Sequence, residues 1–329
     1  MSRELLRDHW RLRVNTDTKS RLQGRDFGRL ARTQPPYLAR WRRNVPFTVF
    51  ILPALIVYSI VVILPLIQTF RYSFTNYDGL SPEYDFVGLE NYRKVLSSEQ
   101  LIEPFIRTIG FSMVVPLLVT VMAIPLAVVL NGRFKTRNFQ RASFFLPSVL
   151  SALFLGYSWT FILSSSKYGM INALLEQFGF DRQLLLADSD LAMWLIVLVV
   201  VWSQVGWHAA LYLANLQTID PALLEAADID GASAFQRFRF ITLPHLAPAM
   251  TVSVALLIIG SLKVFDLPLA MTEGGPGRST ILMTQSIIIQ GLSSSRIGLA
   301  SAMSFLFFLV IAVITFTQVT LMSRYEDEK

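Results

Sequence analysis

Residues 220–244 read DPALLEAADIDGASAFQRFRFITLP, a polar island between two long apolar runs. Asp220 can cap a helix whose first residue is Pro221, because a side-chain oxygen satisfies a free N–H there and proline has no N–H to lose. That helix is expected to run to about Asp230 and to stop at Gly231, the residue that enters the left-handed conformation most cheaply. Ser233 and Gln236 have capping-box spacing, so a second helix starts at once and leads through Phe235, Phe238 and Ile241 to Leu243-Pro244. The expectation is a helix–Gly–helix elbow, held outside the bilayer by a membrane domain.

The flanking composition supports a membrane domain. Of 329 residues, 53% are hydrophobic, and the mean hydropathy is +0.48, too apolar for a soluble globule of this length. Cysteine is absent, which excludes disulfides and thiolate metal sites. The three histidines, His9, His208 and His245, are scattered and offer no multi-histidine metal site. The net charge of +6 could point to nucleic acid, but its excess sits in residues 1–43, where 12 Lys/Arg face 4 Asp/Glu. A basic tail of this kind, sparse in aromatic stacking partners, fits a cytoplasmic arm attracted to anionic lipid headgroups and not a nucleic-acid binder.

Six apolar spans are expected in an all-α membrane domain covering residues 44–323, followed by a short tail at 324–329. Their boundaries are Phe47–Thr69, Phe105–Leu130, Phe144–Leu163, Leu191–Leu213, Pro248–Ala270 and Leu299–Met322, each close to the ~20 residues needed to cross a bilayer. Prolines 53, 65, 116 and 125 fall inside the first two spans, where neighbouring helices can re-satisfy freed carbonyls. With the amino terminus inside, the inner segments carry 20 Lys/Arg and the outer segments 7. The asymmetry places both termini, and residues 220–244, on the cytoplasmic side. Arg107 and Lys263 lie within spans; Lys263 and Asp266, three apart, are expected to pair and so cancel two costly intramembrane charges.

The spacing inside the polar island is also that of a known element. Glu225-Ala226-Ala227, Gly231, Ile241 and Leu243-Pro244 together resemble the EAA loop of permease subunits of binding-protein-dependent ABC importers. Phe86-Val87-Gly88-Leu89-Glu90-Asn91-Tyr92 resembles the FxGLxNY stretch after the first span of sugar-type permeases, and Tyr168-Gly169 with Asn172 the YGxxN element after the third. Phe265-Asp266 with Thr272-Glu273-Gly274-Gly275-Pro276 is similar to the FD…TxGGP segment of the maltose-permease-like branch. By these resemblances, which cover residues 45–322, the chain is identified as a member of the MalF-like carbohydrate ABC permeases. They imply a type I ABC importer permease fold, and a multi-pass place in a bacterial-type cytoplasmic membrane. The implied partners are a second permease subunit, two ATPase subunits that hold ATP and Mg, and an extracytoplasmic solute-binding protein.

No GxxxxGK[ST] loop and no catalytic constellation is present, so the chain is expected to have no cofactor of its own and to import its energy through a contact. In the family the EAA helix docks into a cleft on an ATPase subunit. The resemblance makes Glu225 the residue that meets a basic side chain, Ala226 and Ala227 the small residues that allow close approach, and Gly231 the bend that lets Phe235 and Phe238 pack under the membrane domain. It also implies a solute path on the fourth and fifth spans. Helical spacing puts Gln204, Trp207 and Leu211 on one face of the fourth span, and Leu257, Gly260, Ser261 and Val264 on one face of the fifth. Trp207, Gln204 and Ser261 could hold sugar hydroxyls and C–H faces, or serve as interhelical packing and hydrogen bonding. His208 is expected to be a buried, hydrogen-bonded packing residue. The competing reading is a secondary transporter driven by an ion gradient; it calls for intramembrane ionisable groups and an inverted repeat, and only Lys263 and Asp266 answer to that.

Overall fold

The computed structural model describes residues 50–132 and 134–327. The basic arm at 1–43, the first residues of the expected first span, Arg133 and residues 328–329 lie outside the described residues. The described residues divide into two units inside the first helix, between Leu64 and Pro65. In chain order the helices are α1 (Phe50–Tyr72), α2 (Glu90–Ser97), α3 (Glu99–Asn131), α4 (Arg137–Val149), α5 (Ala152–Ile162) and α6 (Met170–Gln177). They continue with α7 (Ser189–Leu216), α8 (Pro221–Ile229), α9 (Ala234–His245), α10 (Ala247–Leu262), α11 (Asp266–Thr272), α12 (Met283–Ile288) and α13 (Ile297–Asp327). Among the described residues four helices, α1, α3, α7 and α13, are each long and apolar enough to cross a bilayer; the number is six if the bent pairs α4–α5 and α9–α10 each count as a span.

Two of the expected spans are not single helices. The third breaks at Leu150-Ser151, where both residues turn extended, and α5 leaves α4 at 98°. Pro147, without an N–H and just before the break, weakens the last turn of α4. The fifth ends at Leu262 and restarts only at Asp266, after Phe265 has left the helical region with φ −146° and ψ −57°. A continuous helix there would drive the ring of Pro268 into the carbonyl of Val264, four residues back. In the first turn of α11 the same proline is harmless. One consequence corrects an expectation: Lys263 and Asp266 do not share a helix, and no ion pair joins them.

The core is organised around α7. Asp188 caps its start, accepting from the N–H groups of Asp190 and Leu191 at 2.9 and 3.0 Å. Ile196, Val199, Ala209 and Tyr212 of α7 are buried with Val119, Ala123 and Ala127 of α3, the small residues letting the two backbones approach. Gly206 makes the same allowance towards α4, because any Cβ there would overlap the carbonyl of Phe144. A buried polar knot joins α7 to α10: Tyr212 donates to Ser253 Oγ at 2.8 Å, and His208 Nδ1 lies 2.7 Å from the same oxygen. His208 is thus a packing histidine, and Ser253 satisfies two groups that would be costly to bury alone.

Several segments between the long helices are tied down by their own polar residues. Asn91 of α2 donates to the carbonyls of Ser73 and Thr75 at 3.0 and 2.8 Å, fixing the chain after α1. Asn172 of α6 bonds Ser164 and Gln183, and Gly169 stands where a Cβ would overlap the Ser164 carbonyl. Thr280 closes the glycine-rich turn on Gly275 and Thr272 at 2.8 Å each. The asparagines, glycine and threonines of these motifs therefore hold the local backbone in place.

Candidate functional site

The elbow at 220–244 is built by local chemistry. Asp220 accepts from Ala222 N at 2.9 Å, with Pro221 at the first helical position, and α8 runs to Ile229. Gly231 follows with φ +75°. The N–H of Ala232 reaches the carbonyl of Ala227 at 2.9 Å, and that of Gly231 the carbonyl of Asp228 at 3.1 Å. This is the paired closure of a Schellman motif, in which glycine takes the left-handed position. Ser233 and Gln236 then exchange capping-box bonds and start α9. An ion pair between Asp228 and Arg237 spans the bend; it has no helical spacing that would have marked it in the sequence. Leu243 N reaches Phe238 O through a widened π turn, which accommodates the missing N–H of Pro244.

The elbow also shows where it is anchored and where it is free. Phe238 and Leu243 pack against the main core, while Ile241 and Pro244 are half-buried. Glu225 and Ala226 are exposed, Ala227 is half-buried, and Gly231 is open, with no atom within 4 Å of where a Cβ would stand. Ile229 is 87% and Phe235 73% exposed. Phe235 therefore does not pack under the membrane domain as expected; only Phe238 does. Among the described residues Glu225 has no ion-pair partner, and its carboxylate is exposed beside the exposed apolar residues.

The expected solute-path residues do not form one surface. Leu257 and Ser261 are buried at 4% and 5% exposure, and Leu257 belongs to the main core. Gly260 is exposed and open, and Trp207 is partly exposed, edge-on to His208 with ring centroids 4.7 Å apart. Gln204 and Val264 do come together, in a cavity of about 200 Å³ between the two broken spans. Pro147, Ser148 and Leu150 line it from the first break, Ser203 and Gln204 from α7, and Lys263, Phe265 and Asp266 from the second. The contribution of the third span was not anticipated; Pro147 was its only signal in the sequence. A wider cavity of about 670 Å³ opens between α3, α4, α5 and α7, but Trp159, Trp194, Trp202 and their neighbours make its wall almost wholly apolar. No cluster of three or more His, Cys, Asp or Glu that could hold a metal exists among the described residues.

Comparison with known proteins places this geometry in a lineage. Residues 100–326 match the family described as binding-protein-dependent transport system inner membrane component. The trehalose/maltose transport system permease protein MalF of Thermococcus litoralis is 36% identical over 82% of this chain and 90% of its own. The probable starch degradation products transport system permease protein AmyD of Thermoanaerobacterium thermosulfurigenes is 31% identical over 88% of this chain and 97% of its own. Among solved structures, a bacterial ABC transporter involved in the import of the acidic polysaccharide alginate superposes with a TM-score of 0.78 at 24% identity, covering 88% of this chain and 99% of that one. That likeness establishes the fold.

Proposed function

The chain belongs to the binding-protein-dependent transport system inner membrane component family, and we propose that it is one half of the pore of an ATP-driven importer for a sugar or a related polyol or glycerol phosphate. The observation that carries the reading is the elbow: a rigidly capped bend, anchored by Phe238 and Leu243, that leaves Glu225, Ile229 and Phe235 uncovered. Uncovered apolar residues beside a free carboxylate suit a groove with a basic rim on a separate protein. In this reading Glu225 meets that rim, Ala226 and Ala227 admit the groove wall, and Gly231 sets the angle at which Ile241, Leu243 and Pro244 carry force into α10. A second permease subunit completes the pore, two ATPase subunits hold ATP and Mg, and an extracytoplasmic binding protein delivers the solute. ATP binding draws the paired elbows together and turns the pore outward; hydrolysis resets it. The carbohydrate class rests on the names of the relatives. Both termini and the basic arm at 1–43 lie on the cytoplasmic side in this scheme.

The test is uptake and solute-stimulated ATP turnover by the complete transporter in proteoliposomes. Glu225→Ala and Gly231→Val should each lower coupled uptake by about 5–150-fold, the range of ordinary coupling energies, while the subunit still inserts and co-purifies. Undiminished uptake by both variants would remove the coupling role.

A further inference from the structure

The elbow hands its displacement to the bundle through two leads, and both are tightly bonded. Backwards, the N–H of Gln217 reaches the carbonyl of Leu213 at 3.2 Å and that of Thr218 the carbonyl of Asn215 at 3.0 Å, so α7 passes into the following turn without a loose joint. Forwards, the N–H of Leu246 reaches the carbonyls of Thr242 and Leu243 at 3.1 and 3.2 Å, closing α9 onto α10 across a bend of 67°. A displacement of α8 therefore pushes on α7 and α10 together, from different directions. Apolar helix faces in lipid resist sliding only weakly, since no hydrophobic force holds them together there. What joins these two is the knot of His208, Tyr212 and Ser253, at 3%, 0% and 0% exposure. That burial is complete within this chain, so a second subunit leaves it unchanged.

The knot has the geometry of a register lock. His208 and Tyr212 are four residues apart and share one face of α7, and both reach a single oxygen on α10, at 2.7 and 2.8 Å. A slide of α10 along α7 in either direction draws that oxygen away from one of the two. Tyr212 donates to Ser253 Oγ, which leaves the one hydroxyl hydrogen of Ser253 for His208 Nδ1 and the ring proton on Nε2. At this burial a lost bond is not replaced from solvent, so the chain of three holds or breaks as a unit. At about 1.5 Å per residue, Tyr212 lies about 6 Å from the elbow end of α7 and Ser253 about 9 Å from the start of α10, within two turns of where the push arrives. We propose that Ser253 is a positioning residue for energy coupling: held by His208 and Tyr212, it makes α7 and α10 move as one member, so that the elbow's swing turns the pore instead of being dissipated between its two leads. The proposal rests on the coupling reading of the elbow and extends it to three residues inside the bundle.

The chain has no cysteine, so spin labels on Ala214→Cys and Val252→Cys, positions on α7 and α10 outside the core, report the relative shift of the two helices in the complete transporter. The distance between the labels should be the same in the nucleotide-free complex and in one arrested with ATP and vanadate. With Ser253→Ala or the milder Tyr212→Phe added, it should change between those states by about 1–2 Å, the usual size of a helix shift. Labels that part in the otherwise unaltered complex, or that keep their distance in both variants, overturn the lock. Maltose taken up per ATP hydrolysed is the second readout; Ser253→Ala should lower it about tenfold, and Tyr212→Phe by less. Thr108→Val, which removes a buried, doubly bonded hydroxyl near the start of α3, is the control. It should lower the thermal midpoint and leave that ratio at the wild-type value. An equal fall with Thr108→Val, or none with Ser253→Ala, overturns the positioning role. Undiminished uptake by Glu225→Ala and Gly231→Val would instead remove the coupling role of the elbow, and a wild-type complex that imports no maltose would remove that solute; the label distances decide the lock in either case.

Discussion

Gly206 and Ser253 hold neighbouring helices in register by opposite means. Gly206 does so by having no side chain, since a methyl group would overlap the Phe144 carbonyl across the α4–α7 contact. Gly206→Ala should destabilise the purified protein by about 1–3 kcal/mol, the usual cost of overpacking, and lower its thermal midpoint. Ser253 acts through its hydroxyl, which serves both His208 and Tyr212. Ser253→Ala strands two buried polar groups and should cost about 1–3 kcal/mol; Ser143→Ala, on an exposed turn of α4, makes a fair control and should cost far less. Neither residue could be singled out from sequence, because their importance lies in atoms contributed by helices up to 62 positions away.

At the scale of elements, the elbow and the broken spans differ in how far their sequence declares them. The elbow was legible almost residue by residue, since Asp220, Pro221, Gly231, Ser233 and Gln236 act on backbone groups within three or four positions. What could not be read was the crossing between Asp228 and Arg237, and the exposure of Phe235, both set by the direction in which the bend sends the chain. The two breaks were hidden because span length carried the reading across Leu150 and, with Lys263 and Asp266 taken as a helical pair, across Phe265, while the effect of Pro268 depends on a carbonyl four residues back. A comparison of variants separates cap from clasp. Asp228→Asn removes a partly exposed ion pair and should change stability by less than about 1 kcal/mol. Gly231→Val forces a branched residue to φ +75° and should cost at least about 1–2 kcal/mol locally. Hydrogen exchange at Ala232 and Ser233 would show fraying only in the second.

For the whole molecule, the helical membrane domain was within reach of composition and span length and the family fold only through the motif resemblances, and the alginate-transporter likeness agrees with that fold. Orientation stands on charge asymmetry and has a direct check. A thiol reagent that cannot cross membranes should modify Asp181→Cys from outside intact cells and Phe235→Cys only in inverted vesicles; the opposite pattern would invert the topology. The two broken spans bear on how such a molecule opens. Their second pieces, α5 and α11, are fitted together: Gly156 leaves no room for a methyl group against Ala270, and Thr160 Oγ1 lies 3.2 and 3.3 Å from the carbonyls of Ala270 and Met271. The non-helical links Leu150-Ser151 and Lys263–Phe265 are left as the places that can flex. The pair would then swing as a single shutter on two threads, and a covalent tie between its halves would be silent, whereas stiffening either thread would jam it.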